Sequence, residues 1–161
     1  MRENDIIISY PGAPARRRLD VVGLTQELVR IPSNKGTKDV VSYLAQLAKE
    51  QGLHALQVPT LDARGRNRRA HPNLIVSATP DVMSPVFGEA HIDTVQPWDP
   101  KKSQFGPIDG TISNERIYGV GATDCKGSAA ALFVAMTETG KGTVVFSADE
   151  EETLTGLPSA G

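Results

Sequence analysis

Three short stretches of the chain hold residues whose types and spacing could do chemistry. The first is His91-Ile92-Asp93-Thr94-Val95. On an extended strand, residues two apart project to the same face, so His91 and Asp93 would point together. A neutral imidazole is a good zinc ligand, and a nearby carboxylate can orient it and raise its basicity. The same residues would also suit a histidine at a strand end followed by an aspartate that opens a turn.

The second stretch runs from Gly119 to Gly127 and reads Gly-Val-Gly-Ala-Thr-Asp-Cys-Lys-Gly. It is not a phosphate loop. Asp124 stands where the third glycine of G-x-G-x-x-G belongs, and no Gly-Lys-Ser/Thr follows at the spacing a P-loop needs. A carboxylate there would repel phosphate but suit a metal ion, and the flanking glycines let the backbone bend tightly around it. Asp124 could equally cap the helix that follows. Cys125 lacks a thiolate-stabilising neighbourhood other than Lys126 and reads as structural or incidental. The third stretch, Asp149-Glu150-Glu151-Glu152, follows an apolar run directly. A run of acids is usually a solvated surface, yet two adjacent glutamates can divide the work of a metallohydrolase. One binds the metal and the other takes a proton from water.

The elements that must position these residues can be read from the periodicity. Apolar residues at Leu19, Val22, Leu24, Leu28, Val29 and Ile31 predict a helix over 19–31, closed by Pro32. Val40, Val41, Leu44, Leu47 and Ala48 predict a second over 37–50, with Gly52 where a C′ glycine belongs. Short strands are expected at 56–58, 73–77, 85–92 and 143–146. A buried helix is expected over 127–136, and a long Pro- and Gly-rich loop over 98–116. Residues 1–18 read as a loosely ordered arm, and 64–69 as a basic loop that is solvated or binds an anionic group. Strands alternating with helices predict a three-layer α/β domain with a largely parallel central sheet. In such sheets, ligands bind beyond the carboxyl ends of strands, which is where the three stretches fall.

The bulk properties narrow the classes. A chain of 161 residues is enough for one domain with its own core. A net charge of −2 argues against a nucleic-acid binder, and a lone cysteine rules out an intrachain disulfide. No apolar run is long enough to span a bilayer, and the first residues do not read as a signal peptide, so the expected location is cytoplasmic.

Taken together and in this order, the three stretches resemble the motifs of the M20 metallopeptidase family. That family includes acetylornithine deacetylase, succinyl-diaminopimelate desuccinylase, aminoacylases and dipeptidases. Its members carry His-x-Asp-Thr-Val, then Tyr-Gly-x-Gly-x-x-Asp-x-Lys-Gly, then Asp-Glu-Glu before a glycine. Here these are His91 to Val95, Tyr118 to Gly127, and Asp149 to Glu151 with Gly156. The likeness extends to the helix ending Ile31-Pro32-Ser33 and to Pro72-Asn73-Leu74-Ile75, so 19–161 would be the N-terminal portion of such a catalytic domain.

The resemblance implies hydrolysis of an amide bond in an N-acyl amino acid or small peptide, with two zinc ions, or cobalt or manganese in their place. It implies His91 and Glu151 as ligands of one metal each, Asp124 as the bridging ligand, Asp93 as the residue orienting His91, and Glu150 as the general base. Glu152 leaves that register open by one residue, and the distance to Gly156 favours Glu150 and Glu151. Two further ligands and the inserted dimerisation domain of the family's homodimers have no counterpart in this sequence. His54 and His71 lie in the wrong segments to replace those ligands. Gln96 and Val120 stand where proline and arginine are commoner. A truncated chain of this kind would be weakly active or inactive alone. The competing expectations are a non-catalytic remnant serving as a binding or interaction module, and a small nucleotide-binding domain.

Overall fold

A computed structural model of the chain describes residues 6–8, 18–61, 70–81 and 84–153. The basic loop 64–69, most of the arm 1–18 and Gly156 lie outside these residues. The first helix, α1 (Val21–Val29), starts later than the apolar spacing predicts. The Asp20 side chain accepts the Gly23 N–H at 2.8 Å and so fixes the N-cap there. Helix α2 (Lys38–Glu50) buries Val40, Val41, Leu44, Leu47 and Ala48, as its spacing requires. It ends in paired closing bonds, Gly52 N–H to Lys49 O and Leu53 N–H to Ala48 O, with Gly52 at φ 66°. That left-handed geometry is one that glycine adopts without strain, and it turns Leu53 into the core.

The strands are β1 (Ile6–Ile8), β2 (His54–Val58), β3 (Asn73–Ser77), β4 (Phe87–His91) and β7 (Thr143–Ser147). They form one sheet in the order β1-β2-β3-β7-β4. Strand β1 falls within the stretch read as a loose arm. The expected largely parallel sheet is not what forms. β1–β2, β2–β3 and β3–β7 are antiparallel, and only β4–β7 is parallel. Parallel neighbours need a long crossover, usually a helix. Among the described residues only β4, helix α3 (Gly127–Thr139) and β7 make such a unit. The antiparallel pairs are not set by short links: α1 and α2 lie between β1 and β2, and β4 and α3 lie between β3 and β7. Strand periodicity reports which residues face inward and carries no information on direction.

The layering also differs from expectation. Leu74 and Val76 lie opposite Phe146 and Val144, Ala55 lies opposite Val76, and Ala90 lies opposite Phe146. These six share one face of the sheet and one core with α1, α2 and α3. Among the described residues the helices therefore cover a single face, giving two layers rather than three. Within the predicted loop, β5 (Thr111–Ser113) and β6 (Arg116–Tyr118) form a hairpin. Its two turn residues, Asn114 and Glu115, both have positive φ, the geometry of a tight twisted hairpin. Asn-Glu lacks the glycine that usually marks such a turn, so the pattern hid it. Gln26 of α1 and its C-cap Arg30 hold this region by donating to the carbonyls of Gly110 and Asp109 at 2.6 and 3.0 Å. A final short helix, α4 (Glu150–Thr153), follows β7. No helix among the described residues is long and apolar enough to cross a membrane.

The largest side chain in the core is charged in water. Lys126 is 1% exposed, and its Nζ donates to the Ile31 carbonyl at 2.7 Å, just beyond α1. Burial pushes its pKa down to about 8 from 10.5. The unfolded chain therefore holds the extra proton between those values. The group costs stability below about pH 8, and that cost fades as the pH rises toward 10.5. Relative to Lys126→Met, the wild-type protein should gain on the order of 3 kcal/mol across this window in urea unfolding followed by circular dichroism. A difference that stays flat with pH would mean that the ammonium remains charged in the fold.

Candidate metal centre

The parallel register of β4 with β7 sets the site. It pairs His91 with Ser147, and the ladder runs one bond further, from Ile92 N–H to Ser147 O at 2.9 Å. Both strands end here, side by side and pointing the same way. His91 is thereby placed next to the turn Ala148-Asp149 and the first residues of α4. Asp124 arrives from a third direction, on the turn Ala122–Lys126 between β6 and α3. Gly121 opens that turn at φ 77°. A Cβ at Gly121 would meet Thr94 Cγ2 at 2.6 Å, so this glycine lets the turn close on the His91–Thr94 segment. The Asp124–Cys125 peptide bond is cis.

The structure brings together all five residues singled out for chemistry. His91 Nε2 lies 2.8 Å from Asp124 Oδ1. His91 Nδ1 lies 3.2 Å from the Asp93 carbonyl and 3.6 Å from Asp93 Oδ1. The other carboxylate oxygen of Asp93 accepts the Glu151 N–H at 3.0 Å. Asp93 therefore touches the imidazole mainly through its backbone, while its side chain holds the start of α4. Two groups have donor atoms within 4.8 Å of one another: His91 with Asp124 and Cys125, and His91 with Glu150 and Glu151. His91 belongs to both. Its side chain is 10% exposed and that of Asp124 is 79% exposed, so the cluster has a buried floor and an open rim.

The electrostatics explain what such a cluster can hold. With Nδ1–H turned to the Asp93 carbonyl, a neutral His91 presents its Nε2 lone pair to a carboxylate oxygen 2.8 Å away. Two electron-pair donors so close need a proton or a cation between them. Burial, the largest influence, pulls the His91 pKa down. The Asp124 hydrogen bond and the charges of Asp93 and Asp124 outweigh it, and the net shift is upward. Glu151 is also raised, first by desolvation, with His91 pulling it back and Asp124, Glu150 and Asp93 adding repulsion. Asp93 Oδ1 is buried without a hydrogen-bond partner. An imidazole Nε2 with converging carboxylates is a donor set that fits a divalent cation. Cys125 fits less well. Its Sγ–H donates to the His91 carbonyl at 3.3 Å, and burial pushes its pKa up to about 11, leaving a thiol rather than a thiolate.

Sequence reasoning set His71 aside, and the structure gives it a place outside both groups. Its Nδ1 lies 2.6 Å from Asp149 Oδ1. It also missed Asn73, whose Oδ1 accepts the Ala148 N–H at 2.8 Å, and Glu89, which accepts the Ser147 hydroxyl. These are contacts between segments far apart in the chain, with no local periodic signature. His54 sits at the other end of the sheet, opposite Ser77. Gln96, at the position where proline is commoner, accepts a hydrogen bond from Asn34 at 2.9 Å.

Known proteins resemble this chain in sequence and in fold. A profile described as Peptidase family M20/M25/M40 matches residues 89–160, the stretch that contains the whole cluster. A probable carboxypeptidase of Emericella nidulans is 34% identical over 122 residues, which is 73% of this chain and 26% of that protein. The succinyl-diaminopimelate desuccinylase of Blochmanniella floridana is 29% identical over 124 residues, covering 72% of this chain and 29% of that one. The chain thus spans between a quarter and about a third of the length of these curated relatives. Among solved structures, human carnosine dipeptidase 1 superposes with a TM-score of 0.65 at 21% identity, over 85% of this chain and 33% of that one. An M20 family metallo-carboxypeptidase from Sulfolobus solfataricus gives 0.63 at 20%, over 79% and 30%. These structural likenesses show the fold. With the motif order, the family profile and the curated relatives in agreement, the chain belongs to peptidase family M20.

Proposed function

We propose that this chain carries part of a metal-dependent hydrolase centre that cleaves an amide bond in an N-acyl amino acid or small peptide. The observation that carries the reading is the meeting of His91, Glu150 and Glu151 beyond the ends of the parallel strands β4 and β7, with Asp124 at 2.8 Å from His91. In this reading His91 and Asp124 would hold one ion, and Asp124 and Glu151, which belong to different donor groups in this structure, would hold a second. Zinc is the first choice, with cobalt or manganese as alternatives. A divalent ion bound there supplies a Lewis acid for the scissile carbonyl and makes water more acidic.

The chain's own residues do the rest. Asp93 holds His91 Nδ1 through its carbonyl, which leaves Nε2 free to act as a ligand. Glu150 is exposed at the rim, where its carboxylate can take the proton of the attacking water and return it to the leaving nitrogen. Asp93 also fixes Glu151 through its backbone N–H, so one carboxylate ties the imidazole to the glutamate pair. The amine product, the homodimeric state and the acyl group preferred belong to the whole protein and are part of the same proposal.

Two outcomes are expected. Each ion draws two ligands from this chain, whereas catalytic zinc normally has three, so calorimetric titration of the purified chain should show zinc binding weaker than that of a complete centre, with little hydrolysis. Tight uptake of two zinc ions with turnover would sink that view. In protein that does turn over N-acyl amino acids, Glu150→Gln should lower kcat by about 10²- to 10⁴-fold and leave metal uptake within a few-fold of wild type. Unchanged kcat would remove Glu150 from its role, and binding of these compounds without any turnover would favour an interaction module.

A further inference from the structure

The turn that carries Glu150 and Glu151 is held from behind by a segment with no part in the metal cluster. Asp149, at the centre of the turn, has φ 65°, a left-handed geometry that aspartate adopts more readily than most L-residues. It is 0% exposed. A fully buried carboxylate needs a partner, and His71 Nδ1 stands 2.6 Å from its Oδ1, an ion-pair contact in which neither atom has hydrogen-bond geometry. The next residue but one, Asn73, takes the Ala148 N–H through its side chain at 2.8 Å. The turn is thus gripped at two consecutive residues by His71 and Asn73.

The grip has its own anchor. The buried Thr37, at the N-terminus of α2, donates its backbone N–H to Ala70 O at 2.8 Å and its hydroxyl to Pro72 O at 2.9 Å. These two bonds fix the carbonyls on either side of His71. Gly36 permits the approach, because a Cβ there would meet Ala70 O at 2.5 Å. A rigid line of contacts therefore runs from the start of α2, through His71, to Asp149 and on to the glutamate pair.

We propose that His71 is a positioning residue for Glu150 and Glu151: by holding Asp149 it keeps the turn after β7 in the conformation that presents both glutamates to His91. His71 is not a ligand in this view, since it lies outside both donor groups and its Nδ1 faces Asp149. The inference rests on the hydrolase reading, because the grip matters to function only if the glutamate pair does the chemistry. A histidine that merely filled space would influence stability without tuning the turn.

The test measures backbone order and metal affinity separately. In metal-free protein, amide hydrogen exchange by NMR reads the Ala148 and Glu151 N–H groups, both bonded in the structure. His71→Ala should speed their exchange about tenfold or more relative to β3 amides and raise the zinc dissociation constant about tenfold, the scale seen when residues that orient metal ligands are removed. His71→Asn, whose side-chain N–H can still reach Asp149, should restore both to within about threefold. Leu47→Ala, a core change near the far end of α2 that lowers the melting temperature, should move neither. Unchanged exchange in His71→Ala overturns the proposal, and so does a His71→Asn protein as impaired as His71→Ala. Should His71→Ala fail to fold, Asp149→Gly makes the same comparison, because glycine accepts the positive φ but loses the contact. If the wild-type chain takes up no divalent ion at all, the hydrolase reading fails, and the exchange data alone decide whether His71 holds the turn.

Discussion

The parallel pairing of β4 with β7 is the constraint on which the site depends. Side chains on a strand alternate, so a slip of one residue would move His91 to the other face, and a slip of two would carry it a full pleat away from the glutamates. The register that pairs His91 with Ser147 is the arrangement that lets an imidazole and the residues after β7 share one small volume. That register is locked by packing on the opposite face. Ala90 and Phe146 lie side by side in the core, Gly88 lets the strand lie close against Leu132 of α3, and Phe133 stacks on Phe146 at 6.2 Å. The apolar core therefore fixes the spacing of the polar cluster.

The cluster itself works against folding. Asp93, Asp124, Glu150 and Glu151 converge with a single imidazole, and Glu151 is shifted upward first by burial and then by repulsion from the other carboxylates. Backbone bonds make the arrangement tolerable. The Glu151 N–H satisfies one oxygen of Asp93, and the Asp93 carbonyl satisfies Nδ1 of His91. Local disagreement of this kind, with carboxylates held close and one buried oxygen unsatisfied, is expected where sequence serves function rather than stability.

The residue types that carry chemistry were legible in the sequence because each sits in a short local pattern. Inward-facing positions were legible too. Strand Asn73–Ser77 and the apolar face of α2 came from a short apolar run and helical spacing. The direction of the strands, the number of layers and the hairpin at Asn114–Glu115 were not legible. Periodicity is blind to direction, the expected second layer of helices has no counterpart among the described residues, and the hairpin turn lacks glycine. His71 was invisible for a different reason. Its meaning lies wholly in a partner on another strand's far end, and nothing beside it in the chain announces that partner.

The ammonium of Lys126 shows that the chemistry-bearing stretch cannot be cut free. Residues 89–160 contain every side chain of the cluster, yet among the described residues the acceptor recorded for this buried nitrogen is the carbonyl of Ile31, 95 positions earlier. Lys126 sits two residues from Asp124. A shorter piece beginning at β4 would keep all the donors and lose the partner of a charge placed beneath them. The divisible unit of this protein is accordingly larger than its motifs. Reactive groups and the braces that aim them are written in different parts of the chain and become one object only when α1 closes over the turn.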